Sequence, residues 1–120
     1  MIYQVYPTTD QTYDISGLKQ AESLFRIRKL NEAIALLEKS IPKYEDETEI
    51  TTLSKAYLLL SSILIKKYQY FGDKTCLPKA KKYIRHTIEL CKSKGEAELL
   101  AEAYLIQSKI RQHLKKDEKE

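Results

Sequence analysis

Apolar residues recur at three- and four-residue intervals along five stretches of the chain, the spacing that gathers them on one face of a helix. The first stretch follows Ser16, a good N-cap residue, and carries Leu18, Ala21, Leu24 and Phe25, with Arg28 continuing the period. The second carries Leu30, Ala33, Ile34, Leu37 and Ile41. Pro42 is expected to end or kink that helix, because proline disfavours an α conformation in the residue before it. The acidic run over 45–49 reads as a turn whose charge suits the N-terminal end of the next helix. That third helix is expected from about Glu49 to Tyr68 or Tyr70. It is apolar nearly all round: Leu58, Leu59, Ile63 and Ile65 add to the face made by Leu53, Ala56, Tyr57, Leu60, Ser61 and Leu64, so it reads as the central helix. Gly72-Asp73 breaks it. The fourth helix starts near Leu77, with Pro78 tolerated in the first turn, and points Ala80, Ile84, Thr87, Ile88 and Cys91 inward before a C-cap at Gly95. The fifth runs from Glu96 to about Leu114, with Leu99, Leu100, Leu105, Ile106 and Ile110 spread around it.

The pattern repeats. Residues 30–63 lie on residues 77–110 without a gap, at an offset of 47, with 10 identities in 34 positions. Leu53, Ala56, Tyr57, Leu58, Ser61 and Ile63 return as Leu100, Ala103, Tyr104, Leu105, Ser108 and Ile110. The expected fold is therefore all-α: about five antiparallel helices forming a short α-solenoid or a right-handed helical bundle. Three regions follow: an extended arm over 1–13, a repeat domain over 14–116 and a charged tail over 117–120, with fraying expected from Lys115 onward.

The residues resemble the tetratricopeptide-repeat family over roughly 14–116. Tyr57, Leu60, Ser61 and Leu64 match the first-helix pattern of an aromatic, a Leu, a small residue and a large one. Ala33 with Leu37, and Ala80 with Ile84, match the second-helix pattern of Ala followed by a bulky residue four positions on. Ala21 and Ser108 stand at further small positions that let helix axes approach. The spacing of 47 against the family's 34 makes this resemble the enlarged-repeat variant. Gly17 and Gln20 depart from the pattern, occupying positions where a large aromatic and a Leu are expected. The resemblance implies a concave groove lined by the first, third and fifth helices. Its spine would be Leu18, Phe25, Leu58, Ile65 and Leu105, edged by Arg26, Lys55, Lys66 and Lys109, with Ile15, Glu22, Ser62, Gln112 and His113 also on that surface. Leu18 and Glu22 replace the Lys and Asn with which some members grip a terminal carboxylate, so a chaperone-tail clamp is not implied.

Composition narrows the functional classes. Three Gly and three Pro in 120 residues suit long helices. The longest nearly apolar run, 56–65, is far short of the roughly 20 residues of a membrane span, and the start of the chain has no secretory character, so no membrane partner is expected. Cys76 and Cys91 have no metal-ligand spacing and read as reduced thiols of a cytoplasmic protein. His86 and His113 have neither nucleophile nor carboxylate at motif spacing. With no phosphate loop or dinucleotide fingerprint, no enzyme, cofactor or metal site is expected. Charge divides unevenly, −3 over 1–53 and +7 over 54–120. The fourth helix holds a basic patch of Lys79, Lys81, Lys82 and Arg85.

These readings converge on a non-catalytic adaptor or scaffold. It is expected to bind an acidic or amphipathic segment of another protein in the groove, unless the chain's own N-terminal arm fills it, and to form a homodimer or dock a partner helix through its C-terminal helix. The alternative is nucleic-acid binding through the basic patch on residues 79–94.

Overall fold

A computed structural model of the chain describes residues 16–46 and 50–119. The expected arm over 1–13, Ile15, and Glu47 and Glu49 of the acidic connection lie outside the described residues. Within them the chain is all-α: α1 (Ser16–Arg26), α2 (Leu30–Asp46), α3 (Ile50–Phe71), α4 (Cys76–Lys94) and α5 (Ala97–Lys119), with no strand. Each helix packs on the next. In addition α1 touches α3 and α3 touches α5, whereas α2 and α4 do not pack directly on each other. The helices thus form two layers, with α1, α3 and α5 in one and α2 and α4 in the other.

The core sits around α3, from which ten residues between Leu53 and Ile65 are buried. This is the consequence of its all-round apolar character, since a helix with neighbours on several sides has no face to leave polar. Small residues sit at the crossings. Ala21, Ala33, Ser61 and Ala80 are fully buried, and bulky Leu37, Leu60, Ile63 and Ile84 fill the space between them. Ser108, the fifth position of that set, is exposed, because no described helix lies against it.

Gly17 explains one departure in the first helix. A Cβ there would run into Ser40 Oγ and sit 3.6 Å from the Tyr44 hydroxyl. Tyr44, 1% exposed, comes across from α2 and fills the volume that an aromatic on α1 would take.

Two helix ends differ from expectation. Pro42 neither ends α2 nor marks its boundary: the helix runs on to Asp46 with Pro42 inside it. The extra turn is held by the burial of Tyr44 and by Tyr57, whose hydroxyl donates to the Glu45 carboxylate at 2.6 Å. Those contacts outweigh the single backbone bond that proline cannot make. At the other end α5 continues to Lys119, well past Leu114.

The three described connections are short. Arg28 takes a left-handed conformation (φ 64°) after α1. Its N–H donates to the Phe25 carbonyl and that of Lys29 to the Leu24 carbonyl, the paired bonds of a Schellman turn, in which glycine usually occupies the left-handed position. Gly95 supplies that conformation after α4, where the Glu96 N–H reaches the Cys91 carbonyl. Before α4, Asp73 accepts from both the N–H and the hydroxyl of Thr75, and these bonds hold its carboxyl below the usual carboxylate range.

Candidate functional site

Because α1, α3 and α5 share a layer, their side chains converge on a shallow groove of about 350 Å³. Its floor is apolar, made by Leu58 and Leu59 from α3 and Leu99 and Ile106 from α5. Ser62 gives it one polar point. Glu22 of α1 and Glu102 of α5 stand on opposite walls, and Lys55 rises from α3. The arrangement offers an apolar strip with polar groups of both signs at its rim, which suits one side of an amphipathic helix. No His or Cys stands among its described lining residues. Among the described residues no group of three His, Cys, Asp or Glu side chains is placed to hold a metal ion.

Of the residues expected in the groove, Glu22, Lys55, Leu58 and Ser62 line it. Leu18 and Ile65 lie in the hydrophobic core, and Phe25 packs half-buried against that core. Arg26 and Lys66 are exposed. Leu105 and Lys109 face outward on α5, the former 65% exposed, while His113 is half-buried beside Tyr68 and Gln69. On α5 the groove is instead built by Leu99, Glu102 and Ile106. The spacing 99–102–106 is itself a helical stripe, so it could have been found in the sequence. Glu102 and Ile106 are the equivalents of Lys55 and Leu59 at the 47-residue offset, whereas Leu105 and Lys109, the equivalents of Leu58 and Ser62, face outward, because α5 packs on two helices where α3 packs on four.

A second cleft, of about 370 Å³, opens on the other layer between α2 and α4, over the Tyr57 ring. Tyr83 and His86 stack on that ring with centroids 5.5 and 5.9 Å away, and Glu38, Ile41, Pro42, Glu45 and Lys82 complete the lining. Burial, reinforced by the Glu45 hydrogen bond and charge, pushes the Tyr57 phenol far above its ordinary range. Burial and the charges of Glu38 and Glu45 raise Tyr83. The Tyr57 hydroxyl is thus held as a neutral donor to Glu45, a structural tie between α2 and α3.

The basic patch on α4 divides. Lys79, Lys81, Lys82 and Arg85 are all exposed, but they serve different surroundings. Lys81 and Arg85 meet Arg111 and Gln107 over Ile84, Ile110 and Leu114 in a pocket of about 320 Å³ between α4 and α5. Lys82 turns to the tyrosine cleft. At the far end of α3, Tyr68 packs edge-on against His113 with centroids 5.1 Å apart, whereas Phe71 remains 73% exposed and Tyr70 lies under the Arg28 guanidinium at 5.3 Å. Cys76 and Cys91 are buried free thiols, and burial raises Cys76. No described helix is long and apolar enough to cross a membrane.

Comparison with known proteins gives no further identification. No family model matches the chain, no curated protein matches its sequence, and no solved structure matches its fold.

Proposed function

We propose that this chain is a tetratricopeptide-like, non-catalytic adaptor that binds an amphipathic helix or peptide of another protein in the groove between α1, α3 and α5. The observation that carries the reading is the composition of that groove: an apolar floor of Leu58, Leu59, Leu99 and Ile106 bounded by Glu22, Lys55 and Glu102. A ligand helix places apolar anchors at i and i+3 or i+4 on such a floor and polar residues at its rim. Its centre carries a basic residue to meet Glu22 and Glu102. Its acidic flank faces Lys55 and the exposed Arg26 and Lys66 beyond the groove. The two buried free thiols fit a reducing compartment, so we place the function in the cytoplasm.

Selection from a displayed library of helical peptides tests the reading. Enriched sequences are expected to be amphipathic. Their binding should be lost on Ser62→Trp, which fills the half-buried centre of the groove, while the helical circular-dichroism signal persists. Binding that survives Ser62→Trp unchanged would remove the groove from consideration.

A second reading, nucleic-acid binding on α4 and α5, has one observation in its favour: Lys81, Arg85 and Arg111 converge on a pocket with no carboxylate among its described lining residues. Its signature is an affinity that falls steeply with salt, a dependence that the apolar groove does not share.

A further inference from the structure

The internal duplication reports which surface of α5 is uncovered. Ser54, Tyr57, Leu58, Ser61 and Ile65 of α3 are all buried. At the same offset of 47 they correspond to Ala101, Tyr104, Leu105, Ser108 and Gln112 of α5, and all five of these are exposed. The contrast is large for the bulky pair: Tyr57 and Leu58 are each 5% exposed, Tyr104 42% and Leu105 65%. On α3 this face is closed in large part by α4, as the Tyr57–Tyr83 stacking and the Cys91–Ser54 contact at 3.7 Å show. On α5 no described helix takes that place. The face keeps the residues that accept a helix, Ala101 and Ser108 giving close approach and Tyr104 and Leu105 giving apolar area.

The charges on α5 decide what covers it. The N-terminal part of the exposed face carries the acidic Glu98, and the C-terminal part is basic, with Lys109, Lys115 and Lys116. The one ion pair among the described residues joins Lys67 to Asp73, so none of these charges has an ionic partner among the described residues. Two α5 helices laid antiparallel about a twofold axis bring the acidic end of each onto the basic end of the other. Leu105 and Ser108 then sit near the axis, with Glu98 facing Lys116. A parallel pair would set like charges side by side.

We infer that the outer face of α5 is an antiparallel, twofold interface between two copies of this chain. It adjoins the peptide groove but does not use its floor, so the two sites fail independently. The dimer spaces two grooves about one axis, and a partner carrying two copies of the recognised segment gains avidity from both.

Light scattering after size exclusion, with sedimentation equilibrium across about 1 µM to 1 mM, tests the interface. The wild-type chain is expected to pass from monomer to dimer within that range. Leu105→Glu should be monomeric throughout with unchanged helicity and unchanged peptide binding, since its side chain is exposed and lies outside the groove. Glu98→Lys and Lys116→Glu should each weaken the dimer about tenfold or more, an effect doubled by symmetry, and the double variant Glu98→Lys/Lys116→Glu should restore it. A wild-type chain that stays monomeric overturns the interface, as does a dimer indifferent to Leu105→Glu. Charge reversals that add rather than compensate overturn its antiparallel arrangement.

Discussion

Tyr57 is the residue on which the two layers are tied. Its ring lies between α2 and α4, its hydroxyl donates to Glu45, and burial keeps it neutral. A hydrogen bond to a charged partner contributes about 1.5–3 kcal/mol, and Glu45 is exposed enough to recover water when the phenol is removed. Tyr57→Phe should therefore cost about 1 kcal/mol at neutral pH in urea denaturation. The sign of its pH dependence follows from the raised folded pKa. Stabilisation by the neutral phenol is complete below the ordinary tyrosine value of about 10 and is lost as pH rises from there through the folded value. The stability gap between wild type and Tyr57→Phe should accordingly shrink above about pH 10, and a gap that stays constant to pH 11 would contradict the assignment. The burial of Tyr57 was legible in the sequence from its place on an all-apolar helix. Its partner was not, because Glu45 reaches it only if α2 continues past Pro42.

At the scale of the element, α2 shows a local rule giving way to packing. Ile41-Pro42 carries the expected signature of a helix end, yet Ile41 and Tyr44 are both buried and the helix spans them. The structure then contains a proline in a helix interior, where it costs about 3 kcal/mol against alanine, less the roughly 0.4–1 kcal/mol by which its stiffness helps through the unfolded chain. Pro42→Ala should raise stability by about 2 kcal/mol, read as an increased urea midpoint at unchanged slope. A destabilised Pro42→Ala would mean instead that the ring, which lines the tyrosine cleft, matters more than the missing N–H. The other helices were legible because their apolar periods are long and their breaks explicit: Gly72-Asp73 ends α3, and Gly95 closes α4 with a left-handed turn. The turn after α1 was hidden because Arg28 adopts the conformation that glycine usually supplies.

For the molecule as a whole, the duplication foretold the layering: equivalent helices α3 and α5 share one layer, and α2 and α4 form the other. It did not foretell the groove's residues in full. Translation by 47 carries side chains to equivalent places on a helix, but α3 has neighbours on more sides than α5, so equivalent side chains meet different surroundings. Leu58 is buried at the groove floor while Leu105 faces outward, and the lining of α5 falls to Leu99, Glu102 and Ile106. The same asymmetry separates the two proposed surfaces, a groove for another protein and an outer face for a second copy. The most direct test of the groove is the amide chemical-shift footprint of the tightest selected peptide on the isotopically labelled chain. The largest changes are expected at Glu22, Lys55, Leu59, Ser62, Glu102 and Ile106. A footprint centred on Lys81, Arg85 and Arg111, with those six amides unmoved, would contradict the account.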